Sequence, residues 1–113
     1  MSNTATGVNG VNVTQLVDTI NAIKDEPSIA DFKFHATTTW ISGGHCQTKI
    51  QNFTGANSVD QSREQPFVMD GDEPPILLGE NHGPNAVEAL LHAIGSCLSV
   101  GTVYNSAAMG IQI

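Results

Sequence analysis

The run from Gly83 to Leu98, GPNAVEALLHAIGSCL, constrains this chain most. Pro84 suits the first position of a helix, where its missing N–H leaves no bond unmade. The residues after it are apolar on more than one side, so the helix they form is expected to be central and buried. It is predicted to run to about Met109, with Gly110 as a left-handed cap. Gly95, Ser96, Ser99 and Gly101 are small residues in its middle. A mid-helix glycine costs about 1 kcal/mol against alanine, so another helix or backbone is expected to approach closely there. His92, Gly95, Ser96 and Asn105 interrupt the run before the roughly 20 apolar residues of a membrane span accumulate. The rest of the chain reads as a small β layer that covers this helix.

Charge narrows the partners. The net charge is −7, and the cations are Lys24, Lys33, Lys49 and Arg63. Nucleic-acid binding needs clustered cations to displace counterions, so it is not expected, and neither is an anionic membrane surface. Charged residues make up 13%, about half the usual share, so a partner is expected to bury part of the surface. The first residues are polar, with no basic start and no apolar run, so no signal peptide is expected and the expected compartment is cytoplasmic. Cys46 and Cys97 are too few for a disulfide scaffold and read as reduced thiols. A length of 113 residues suits one domain.

Residues 1–10 are rich in Ser, Asn, Thr and Gly and are expected to be disordered. Val13, Leu16, Val17, Ile20 and Ile23 then form one stripe of period 3.6, a helix with Asn12 as N-cap and a stop at Asp25-Glu26-Pro27. From Ala30 the period changes to two. Phe32, Phe34, Ala36, Thr38 and Trp40 alternate with polar residues, as in a strand with one buried face. Ser42-Gly43-Gly44 turns the chain, and His45 to Phe53 returns to complete a hairpin. Its two faces carry Cys46, Thr48 and Ile50 on one side and His45, Gln47, Lys49 and Gln51 on the other. Residues 55–65 read as a polar loop, Pro66 to Asp70 as a third strand, and Gly71 to Pro75 as a turn. Ile111-Gln112-Ile113 reads as the start of a strand that docks into a partner or belongs to a longer chain.

The chemistry centres on Cys97. A free cysteine in an apolar helix is either a small core residue or a nucleophile activated by a nearby cation or base, and the spacing leaves both open. His92 precedes it by five residues, about 140° round the helix, so the two do not share a face. Glu88, His92 and Ser96 do share one, as a proton-handling group or as a satisfied polar contact. His45, Cys46 and Lys49 on the return strand are candidates to line a site. No C-x-x-C or H-x-x-x-H spacing occurs, so neither a metal nor another cofactor is expected. The loop Gly79 to Gly83 stands before a helix start but fits no phosphate-binding motif.

Taken together, Asp72-Glu73-Pro74-Pro75-x-Leu77-Leu78-Gly79 and Gly83-Pro84-Asn85-x-x-Glu88-x-Leu90-Leu91-x-Ala93-x-x-x-Cys97 resemble the OsmC/Ohr family of osmotically inducible and organic hydroperoxide resistance proteins. The hairpin motif Trp40-Ile41-x-Gly43-Gly44 and Tyr104-x-x-Ala107-Ala108-x-Gly110-Ile111 extend the resemblance over roughly residues 10–113, the N-terminal portion of the usual fold. The resemblance implies an α+β fold. It has an N-terminal helix and a small antiparallel sheet, a hairpin plus a third strand, packed on a long buried central helix, in an intertwined homodimer. It implies thiol-dependent reduction of organic hydroperoxides, with Cys97 as the peroxidatic nucleophile and a dithiol as reductant. An arginine and a glutamate polarise the site in such proteins. Here Glu88 stands one residue from the usual glutamate position, and the early strands hold Lys49 and His45 but no arginine. The other reading is a non-catalytic dimeric module that binds a small apolar ligand, or a truncated remnant without peroxidase activity.

Overall fold

The computed structural model describes residues 7–113. The fold is α+β, with two α-helices and short antiparallel sheets among the described residues. The described residues divide into two compact units, 7–29 with Ala93–Ile113, and Ala30–His92.

In the first unit, β1 (Gly7–Val8) and β2 (Val11–Asn12) pair antiparallel around Asn9-Gly10. Both turn residues have positive φ, 54° and 77°, as a two-residue turn matched to strand twist requires. The disorder expected through residue 10 therefore does not extend over residues 7–10; residues 1–6 lie outside the described residues. α1 (Val13–Asp25) follows as the apolar stripe predicts. The Asn12 side chain accepts from the Gln15 N–H at 3.0 Å, and the helix stops at Glu26, before Pro27. No residue of α1 is buried.

α2 (Ala86–Ala108) runs unbroken through His92, Gly95, Ser96 and Asn105. It starts later than expected: Asn85 caps it, and Pro84 precedes the cap instead of occupying the first turn. The far end follows expectation. Gly110 takes φ 70°, and the Ile111 N–H donates back to the Ser106 carbonyl at 2.8 Å. Residues 111–113 are not a strand. The Asn9 side chain donates to the Ile111 carbonyl at 2.9 Å and accepts from the Ile113 N–H at 2.8 Å, and so stands in for a strand neighbour.

The expectation of a buried central helix is corrected for the single chain. Among the described residues, Ala107 is the one buried hydrophobic side chain. Leu90, Leu91 and Leu98 are 60%, 62% and 67% exposed. A Cβ added at Gly95 or Gly101 would meet nothing within 4 Å, so no backbone among the described residues explains those small residues. α2 is also the one helix among the described residues long and apolar enough to cross a membrane, a property that core helices of soluble assemblies share.

In the second unit, β3 (Thr37–Ser42), β4 (His45–Ile50) and β7 (Phe67–Gly71) form an antiparallel sheet in the order β3-β4-β7. The hairpin and the third strand stand where the sequence predicts them. The first strand is shorter than expected, since residues 32–36 pair only through a Lys33–Thr54 bridge. Its face is not buried either, and Trp40 is exposed. The expected long loop contains a further hairpin, β5 (Phe53–Gly55) and β6 (Ser58–Asp60), turned at Ala56-Asn57 with φ of 50° and 63°. Phe32, Phe34 and Phe53 cluster with centroids 5.2–6.1 Å apart, and the Phe32 ring lies on Gly55 where a Cβ would collide with it.

Candidate functional site

The register of the sheet sorts the candidate side chains. Thr38 faces Thr48 and Trp40 faces Cys46, while Thr37 faces Lys49. Because successive side chains alternate, Cys46 lies on one face, with Met69 and Phe67, and His45 and Lys49 lie on the other, with Val68 and Asp70. The sequence placed Cys46 apart from His45 and Lys49 in the same way.

The polar face carries a feature the sequence reading missed. His45 Nε2 lies 2.7 Å from Asp70 Oδ1, and His82 Nδ1 lies 2.6 Å from Asp72 Oδ2. The two imidazoles stack, with centroids 4.1 Å apart and planes 4° from parallel. Since an ionised carboxylate only accepts, each bonded nitrogen carries a proton. The other ring nitrogens are His45 Nδ1 and His82 Nε2, each an acceptor only when its ring is neutral. Beside them Ser42, Gly43, Gly44, Gly79 and Glu80 help enclose a cavity of ≈ 70 Å³, room for one or two waters. Among the described residues, no three His, Cys, Asp or Glu side chains converge as a metal site would require.

Asp72 organises the segment that feeds α2. It is buried and accepts four hydrogen bonds, from the N–H groups of Glu73, Glu80 and His82 and from the His82 ring. Its own N–H donates to the Pro84 carbonyl at 3.3 Å. Gly79 and Gly83 are required where backbones meet, because a Cβ at either would collide with the carbonyl oxygen of Glu73 or Asp70. The His82 bond, and after it the Glu73 N–H, hold the Asp72 carboxyl far below the usual carboxylate range, against the opposing effect of desolvation. Asp70 is lowered as well, first by His45 and then by Gln47.

A pH dependence follows. A carboxyl whose pKa is depressed in the folded state stabilises the fold fully above its unfolded value, about 3.9, and progressively less below it. Chemical denaturation is expected to show stability falling as pH drops from 4 to 2, with a shallower fall in Asp72→Asn. An equal fall in both proteins would remove Asp72 as the source.

Cys97 stands in the first unit, on α2, as a free and exposed thiol. Leu98, Gly101, Thr102, Asn105, Ser106 and Met109 lie with it around an open groove of ≈ 420 Å³. Among the described residues no hydrogen bond reaches its sulfur. Glu88 closes a capping box with Asn85: the Asn85 N–H donates to Glu88 Oε1 at 3.1 Å, and the Glu88 N–H donates to Asn85 Oδ1 at 2.9 Å. The structure thus gives Glu88 a helix-starting role, one turn before His92 on the same side of α2. His92 is exposed. Arg63 places its guanidinium 4.9 Å from the Phe53 centroid and 5.1 Å from that of Phe67, and donates to the Gln51 carbonyl at 3.0 Å. No family model matches the chain, and no curated protein matches it.

Proposed function

We propose that the chain is an OsmC-like protein that reduces organic hydroperoxides at Cys97. The observation that carries this reading is the free thiol of Cys97, exposed in a mostly apolar groove of ≈ 420 Å³ on α2. An alkyl or aryl hydroperoxide can lay its hydrocarbon part in such a groove with its O–O bond at the sulfur. The thiolate attacks the terminal, hydroxyl oxygen of the peroxide. An S–O bond forms, the O–O bond breaks, and the alkoxide takes a proton from water and leaves as the alcohol. Cys97 is thereby oxidised by two electrons to a sulfenic acid and the peroxide is reduced to the alcohol. One thiol of a dithiol reductant then displaces water to give a mixed disulfide. Its second thiol releases Cys97 and closes the reductant's own disulfide. The test is consumption of cumene hydroperoxide by the purified protein with dithiothreitol. Saturable turnover supports the reading, and consumption no faster than by reductant alone overturns it.

The resemblance also leads us to propose a homodimer. The exposed apolar residues of α2, and the open space at Gly95 and Gly101, support it as a surface for close helix packing. Sedimentation equilibrium is expected to give twice the chain mass, and Leu98→Asp to shift the equilibrium toward monomer by about tenfold or more. A monomer at micromolar concentration contradicts the dimer.

A second reading, a non-catalytic dimeric module for a small apolar ligand, draws on the same groove and on the absence, among the described residues, of a hydrogen bond at Cys97. It predicts displacement of a fluorescent apolar probe by hydrocarbon ligands in Cys97→Ser as well as in wild type.

A further inference from the structure

The unit Ala30–His92 holds another recess, of different chemistry. His35, Thr37, Lys49, Gln51, Asn52 and Pro66 line an open cleft of ≈ 410 Å³. The β3–β4 register builds it: Thr37 and Lys49 are direct cross-strand partners, so their side chains leave the sheet on the same face. No Asp or Glu lines the cleft, in a chain with 11 acidic residues and 4 Lys and Arg. Among the described residues, the ion pairs are His45–Asp70 and His82–Asp72, so Lys49 has no carboxylate partner. The Gln51 amide nitrogen is already committed to the Arg63 and Glu64 carbonyls at 3.0 and 3.4 Å, which fixes that wall. Its remaining polar groups are an ammonium, an imidazole, a hydroxyl and the Asn52 amide. On a chain of net charge −7, the cleft thus presents an ammonium with no carboxylate in its lining, among hydrogen-bond donors.

We infer that this cleft binds a small oxyanion, a phosphate or carboxylate group, with Lys49 supplying the charge and His35, Thr37 and Asn52 the hydrogen bonds. The volume falls in the lower part of the range of small-molecule sites. The inference stands apart from the chemistry at Cys97, and its test does not use peroxide turnover.

The test is an amide chemical-shift titration of the whole chain with inorganic phosphate and, separately, succinate, at ionic strength held constant with chloride. Saturable shifts confined to residues 35–37 and 49–52 are expected. Earlier saturation by phosphate assigns a phosphate-bearing ligand, and the reverse a carboxylate. Lys49→Gln is expected to weaken binding about tenfold or more, while Lys24→Gln on α1 leaves it unchanged. Shifts that do not saturate with either anion, that scatter over the surface, or that respond equally to the two substitutions overturn the inference. The shift map is read on wild type, so it decides even if Lys49→Gln fails to fold.

Discussion

Cys97→Ser is expected to reduce hydroperoxide consumption to the rate of the reductant alone, a loss on the order of 10³-fold or more. The hydroxyl of serine is a far weaker nucleophile toward an O–O bond than a thiolate and forms no sulfenic acid. The comparison is clean because of where Cys97 lies. Its side chain is exposed, and no hydrogen bond among the described residues reaches the sulfur. Replacing it with oxygen should therefore move stability by no more than about 0.5 kcal/mol. Cys46→Ser should retain wild-type turnover. A continuous assay with cumene hydroperoxide, with circular dichroism to verify folding, makes the measurement. Equal turnover in wild type and Cys97→Ser would remove Cys97 from the chemistry.

Asp72→Ala should have the largest effect on stability, lowering the thermal midpoint by on the order of 10 °C. Three backbone N–H groups and the His82 ring converge on this carboxylate. Alanine would leave those donors without a partner inside a loop whose glycines already sit in backbone contact. Asp72→Asn keeps one acceptor oxygen and should fall between the two. Thermal unfolding at pH 7 reads the effect directly. A midpoint within about 2 °C of wild type would mean that the loop does not depend on this residue.

The sequence made legible those elements whose signals are local. The period of α1, the Asn12 cap, the Gly43-Gly44 turn and the Gly110 stop each arise within a few residues, and each appears where expected. The Asn9-Gly10 hairpin was equally local, but its strands are only two residues long, and the Gly- and Asn-rich composition read as disorder. The turn at Ala56 carried no such signal, because alanine seldom takes positive φ. The His45–Asp70 and His82–Asp72 pairs were not legible. The first joins two strands, the second closes a loop, and no short motif encodes their meeting. For α2 the two-sided apolarity was read as burial, whereas among the described residues its leucines stay exposed. The capping box of Asn85 and Glu88 also stood in the sequence at the usual spacing.

The central claim is that Cys97 is oxidised by an organic hydroperoxide. Its most direct test is mass spectrometry of the protein after one equivalent of cumene hydroperoxide in the presence of dimedone, which captures sulfenic acids. The account predicts one dimedone adduct, on the peptide containing Cys97, with release of one equivalent of cumyl alcohol. Cys97 recovered unmodified while the peroxide persists, or an adduct confined to Cys46, would contradict it.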